Sequence, residues 1–189
     1  MAVQRGIDKW RLKKWFTVRA PKEFNDANVG EMPANDEKAA VGRNIVVSLD
    51  MLTHNPSHAY TNVTLKVTGI SGEAAQTKLV KMEILSSYLR SFVRRYRSVS
   101  SAVVPVSTRD GTNIVVKLIA ITRARTAHTK IVGIRKEMVD FTRGYFREND
   151  VGPIVGSIID GKFQDALTAK LKHIVDLNKV EVRKLEIGG

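Results

Sequence analysis

Residues 99–122, VSSAVVPVSTRDGTNIVVKLIAIT, carry the clearest structural signal in the chain. Two β-branched runs flank Asp110 and Gly111, and Asp-Gly supplies the positive φ angles of a tight hairpin turn. The second run, 114–121, is apolar on both faces apart from Lys117, which predicts a strand in the interior of a sheet. Pro105 removes a ladder donor from the first run and predicts an edge strand or a bulge there.

Upstream of the hairpin, residues 86–97 (SSYLRSFVRRYR) predict a helix capped by Ser86 or Ser87. Leu89, Phe92, Val93 and Tyr96 would share its core face, with Arg90, Arg94 and Arg97 together on the opposite flank. A solvated helix flank normally interleaves glutamates with its arginines, and none occurs here. Downstream, residues 123–130 (RARTAHTK) predict a loop that carries Arg123, Arg125 and Lys130 off the end of a rigid strand. A helix from 131 to 147 follows, with Ile131, Ile134, Met138, Phe141 and Tyr145 as its stripe. Two short helices come next, split at Asp160 and Gly161, and a last strand spans 180–187.

On the N-terminal side, strands are predicted at 16–18, 42–52, 60–70 and 77–84, the last three as an antiparallel meander. Residues 25–40 are polar, contain Gly30 and Pro33, and predict a surface loop. Residues 1–14 mix cations with few apolar groups and predict a basic N-terminal arm. The expected fold is α+β: a curved, mainly antiparallel, barrel-like sheet with packed helices. Residues 15–189 form a single domain behind the arm at 1–14.

The positive charge follows the same centre. Residues 84–136 hold eleven Lys and Arg against one acid, Asp110, a net +10 in a chain whose total is +12. The first twenty residues contribute +5, and the remainder sums to −3. Charge concentrated in this way, with a pI near 10.1, is the footprint of a polyanion-binding surface. The candidate contacts are Lys13, Lys14, Arg90, Arg94, Arg97, Arg109, Arg123, Arg125, Lys130, Arg135 and Lys136. Aromatic residues are 6% of the chain and no aromatic RNA-binding strand motif occurs, so phosphate and shape recognition fit better than stacking on an aromatic sheet.

Catalytic signals are lacking. There is no cysteine, which excludes a disulfide framework, thiolate metal sites and a cysteine nucleophile. His54 and His58 are separated by Pro56 and cannot share a helix face as a zinc pair would need. His128 has no neighbouring acid to orient it, and His173 lies near a helix end. No phosphate-binding glycine loop or nucleophile elbow occurs, and Asp36 and Glu37 lie in a polar segment. No cofactor, metal or small-molecule substrate is expected. No apolar run is long enough for a membrane span and no signal-peptide core is visible, so a soluble intracellular protein is the expectation.

Six blocks in order then carry a resemblance: WFTVRAPKEFNDANVGE (15–31), GRNIVVSLDML (42–52), LRSFVRRYRS (89–98), TRDGTNIVVKLIAIT (108–122), IRKEM (134–138) and VEVRKLE (180–186). Together they resemble the S-three-Ae (eS-one) family of small-subunit ribosomal proteins, in the length of its archaeal form. Leu85 and Ser87 stand where that family usually has a threonine and an acid, and Lys78, Leu79, Val80 and Lys81 replace its usual Leu-Thr-x-Phe strand. The resemblance implies a non-catalytic component of the cytoplasmic ribosome. Its partners would be small-subunit ribosomal RNA and neighbouring small-subunit proteins on the platform, near the messenger-RNA exit. The alternatives are an RNA-processing enzyme, an RNA-binding translation factor not resident on the ribosome, or a membrane-surface or acidic-protein binder. The last would have to expose the apolar face of the helix at 86–97.

Overall fold

In the computed structural model, residues 10, 13–24 and 26–188 are described. The expected arm therefore lies mostly outside the described residues. Of it, Trp10, Lys13 and Lys14 are seen. Lys14 opens a strand, and Lys13 places its ammonium 3.4 Å from the centre of the Trp10 ring.

The first strand pair is β1 (Lys14–Arg19) with β2 (Asn28–Ala34), antiparallel. A short helix α1 (Glu37–Ala40) leads to β3 (Asn44–Ser48), α2 (Leu49–Thr53), β4 (Thr61–Ser71) and β5 (Ala74–Ile84). As expected, β3, β4 and β5 form an antiparallel meander. Next come α3 (Ser86–Phe92) and the hairpin of β6 (Val99–Ser107) and β7 (Asn113–Thr122). The chain ends with α4 (His128–Glu148), α5 (Val151–Ile159), α6 (Lys162–Leu171) and β8 (Leu177–Ile187).

The eight strands form one sheet that branches at β5. One edge of β5 carries β4 along almost its whole length. The other edge carries β1 in parallel at residues 74–76 and β8 antiparallel at residues 81–83. Beyond β8 lie β7 and then β6, so Pro105 sits on an edge strand and β7 is interior, as its two-faced apolar run requires. The pairing leaves the sheet open and does not close it into a barrel.

One face of the β4–β8 half packs on α4, α5 and α6 through Leu65, Val116, Leu118, Val182 and Leu185. Phe163 of α6 is fully buried and meets Phe141, Tyr145 and Phe146 of α4 at ring distances between 5.2 and 5.8 Å. A second cluster of Phe16, Val18, Met32, Ala34 and Ala40 joins β1, β2 and α1. On the opposite face, Leu89 of α3 covers Ile119 and Ile121 of β7.

Four expectations are corrected. Residues 25–40 are not a loop, because they contain β2 and α1. Met32 and Ala34 are buried against β1 while polar neighbours face solvent, and Pro33 is tolerated because β2 is an edge. The strand expected at 42–52 stops at Ser48, where the chain turns into α2 to bury Leu49 and Leu52. The stripe of α4 is rotated: its buried residues are Ile134, Met138, Thr142 and Phe146, and Ile131, Phe141 and Tyr145 are half-buried.

The fourth correction bears on function. The helix expected over 86–97 ends at Phe92, and Leu85 rather than a serine occupies its N-cap, with no side-chain capping bond. Val93 is extended and 44% exposed, and Tyr96 is 81% exposed. The chain must leave the helix here because Ser98 and Val99 are already tied to Thr122 and Ile121 of β7. The Arg97 guanidinium donates to the carbonyl of Phe92 at 2.9 Å, satisfying one of the acceptors that a helix C-terminus leaves open.

Candidate nucleic-acid interface

Where β5, β8 and β7 adjoin, the sheet pairs part of its own charge. Antiparallel register places Glu83 opposite Lys184 and Lys81 opposite Glu186, with Lys117 of β7 alongside. Lys81 pairs with Glu83 at 2.8 Å, Lys117 with Glu186 at 3.6 Å, Lys184 with Glu186, and Lys179 with Glu181 at 3.1 Å. Hydrogen bonding to Lys184 holds the Glu186 carboxyl below the usual range; partial burial opposes this, and the charges of Lys184 and Lys117 reinforce it. Burial works against the Lys179 ammonium, but its hydrogen bond to Glu181 and that carboxylate's charge outweigh it and raise its pKa. Lys117 belongs to the basic stretch in sequence but is neutralised in space.

The candidate cations, Lys14 apart, lie off the sheet. Arg90 is exposed on α3, and Arg94, Arg95 and Arg97 follow in the connection to β6. They are not one helix stripe, since the helix has ended before Arg94. Tertiary pairing gathers them with a second group. The Thr122 amide donates to Ser98 O at 2.9 Å, Ser98 N donates to the Thr122 hydroxyl at 2.9 Å, and Thr126 N donates to Ser98 Oγ at 3.0 Å. The loop with Arg123 and Arg125 is thereby fastened beside Arg97, at the end of the hairpin opposite its turn.

Lys130 lies in the first turn of α4, not in the loop, and it shares an open groove of about 460 Å³ with Arg125, Lys172 and Asp176. The loop has no acid in sequence, yet it acquires one in space. Asp176, from the connection before β8, meets Arg123 at 3.1 Å. Both side chains are largely exposed, so this pair is weak and free to exchange. Lys172 escapes notice in sequence because it lies in an otherwise ordinary helix end.

Arg135 and Lys136 are exposed on α4 about 8–9 Å along the axis from Lys130, at 1.5 Å per residue. The same outer face continues to Arg143 and Arg147, interrupted by the acid Asp140. Those two arginines line a hollow of about 290 Å³ with Pro105 and Asn113 near the hairpin tip. Arg109 is in that tip, where its amide donates to Asn149 O and the Asp110 carboxylate accepts from Val151 N at 3.2 Å. The helical spacing 136, 140, 143, 147 is the signal that would have found Arg143 and Arg147. Lys13 and Lys14 stand apart at the β1 end of the sheet, because β1 joins β5 at residues 74–76 while β8 joins it at 81–83. One end of the hairpin and the outer face of α4 thus form a cationic band, broken at Asp140. Arg109 closes the band at its far end, and the two arm lysines lie outside it.

Among the described residues, no three His, Asp or Glu side chains cluster to hold a metal ion, and no helix is long and apolar enough to cross a membrane. Among the described residues, the site is thus an α+β sheet with paired charges on β5, β7 and β8, edged by exposed arginines on a turn, a loop and a helix. The chain belongs to the Ribosomal S3Ae family, whose model matches residues 1–188. It is 38% identical over 181 residues to the small ribosomal subunit protein eS1 of Sulfolobus acidocaldarius, covering 95% of this chain and 92% of that one. The eS1 protein of Sulfurisphaera tokodaii is 34% identical, with 95% and 93% covered. That of Haloarcula marismortui is 30% identical, with 96% and 85% covered.

Proposed function

We propose that this protein is a structural, non-enzymatic constituent of the small ribosomal subunit that binds small-subunit ribosomal RNA. It would act in the cytoplasm, within the ribosome. Arg90, Arg94 and Arg97 contact phosphates from α3 and the turn after it. Arg97 keeps donors free beyond the one spent on Phe92. Arg123, Arg125 and Lys130 do so from the loop and the start of α4, Arg135 and Lys136 from its outer face, and Arg109 from the hairpin tip. Lys13 and Lys14, with the arm at 1–14, reach a separate stretch of RNA. Neighbouring small-subunit proteins on the platform are the protein partners. The bulges at 64/65, 117/118 and 121/122 support a curved, barrel-like shape for the sheet behind this surface.

The observation that carries the proposal is the distribution of charge: Lys81, Lys117, Lys179 and Lys184 of the sheet have acidic partners, while among the described residues Arg123 alone of the arginines beside Ser98 and Thr122 has one. Binding to small-subunit ribosomal RNA, titrated over a range of salt, tests it. Changing Arg90, Arg94 and Arg125 together to glutamine should weaken binding and reduce the log–log salt slope by roughly one unit per lost contact. If neither affinity nor slope moved, the surface would be misassigned.

A further inference from the structure

Tyr96 has the most exposed large apolar side chain among the described residues, at 81%. Its backbone lies in the left-handed region, φ +63. It is the third residue of a turn closed by Arg97 N donating to Arg94 O at 3.3 Å, a position that favours glycine or asparagine. A tyrosine there is strained, and strain of this kind gathers at functional sites. Tyr88 of α3 stacks on Tyr60 and meets Phe92 edge-on, with ring centres 4.6 and 5.0 Å apart, whereas among the described residues the Tyr96 ring is in no such contact. Core packing explains Leu89 and Phe92 and leaves Tyr96 without a structural task. Arg94, Arg95 and Arg97 flank it in the chain, with Arg90 on α3 before them, and among the described residues none of the four forms an ion pair.

We propose that Tyr96 is a stacking platform for an unpaired nucleobase, with the flanking arginines holding the phosphates on either side of it. An exposed aromatic face within reach of several guanidinium groups is the arrangement that captures a splayed base in single-stranded RNA. A duplex offers no free base face, so the ligand is a loop, bulge or single-stranded segment. The proposal rests on the RNA-binding function above and adds a second mode to it: the arginines provide salt-dependent affinity, and the tyrosine a salt-insensitive increment.

The test uses the full chain with Tyr96→Phe, Tyr96→Leu and Tyr96→Gly, measuring melting temperature and affinity for small-subunit ribosomal RNA across salt. Tyr96→Phe keeps wild-type affinity. Tyr96→Leu retains the backbone strain and the apolar bulk but loses the ring, and weakens binding roughly 5- to 150-fold, the span of one base–aromatic stack, with an unchanged salt slope. Tyr96→Gly loses the same affinity while melting no lower than wild type, which separates the loss from unfolding. A fully paired RNA duplex binds wild type and Tyr96→Leu alike. If Tyr96→Leu bound the ribosomal RNA as tightly as wild type while the Arg90, Arg94 and Arg125 triple variant was weakened, the stacking role alone would fall. A loss in Tyr96→Leu with a reduced salt slope would also overturn it, making the residue a support for the arginines. An unmoved triple variant would remove the RNA-binding function itself.

Discussion

Gly161 joins α5 to α6 at φ +80, and a Cβ built there would meet nothing within 4 Å. The cost of a side chain is therefore one of backbone conformation alone. Gly161→Ala should destabilise by about 1–2 kcal/mol, and Gly161→Asn by less, since asparagine tolerates this region. Chemical denaturation at an unchanged m-value checks it. This residue is legible in the sequence, because an Asp-Gly pair interrupts two helical patterns. Tyr96 shares the conformation and was not legible. Its spacing from Leu89, Phe92 and Val93 fits a helix face, and only the pairing of Ser98 with Thr122 pulls it off that face. Arg97 is similar: the sequence shows a cation, and the fold adds a capping bond to Phe92 O.

Among the elements, α4 and α6 depend most visibly on aromatic packing. Phe163→Ala removes a fully buried ring that touches three others and should cost about 3–5 kcal/mol. Phe163→Leu should cost clearly less, and both are measured by the shift in denaturation midpoint. The sequence announces these helices through their 3.6-residue period, and it announces β7 through its apolar run. It does not announce β2, whose polar residues, Gly30 and Pro33 look like a loop. β2 exists because β1 offers it a register from Lys14 with Ala34 to Arg19 with Asn28. Its two buried residues, Met32 and Ala34, are too few to reveal a strand by alternation.

At the scale of the molecule, register sets the charges of β5, β8 and β7 side by side, and the Lys117–Glu186 pair at 3.6 Å joins two strands that are remote in sequence. The Glu186 carboxyl titrates below its unfolded value, so its contribution to stability is present above about pH 4.3 and is lost as pH falls through its lower folded value. Glu186→Gln should therefore lower stability near neutrality and flatten the acid limb of the stability profile, as measured by denaturation from pH 7 to 3. At the opposite limit Lys179, with its raised pKa, contributes below about pH 10.4 and loses that contribution as pH rises through the folded value.

The α+β class, the hairpin, the three helices before the last strand and the excess of cations are properties of local pattern and composition, and the amino-acid order specifies them directly. Which cations have partners is decided by contacts between distant segments. Lys117 is neutralised by Glu186, Arg123 acquires Asp176, and Lys172, Arg143 and Arg147 join a surface that their neighbours in sequence do not suggest. The branching at β5 is of the same kind, since it sets β1 and β8 on one edge of a single strand. The physical reason is range. Side-chain period and turn chemistry act over a few residues, whereas register, ion pairing and the end of α3 depend on hydrogen bonds closed across 24 residues and more.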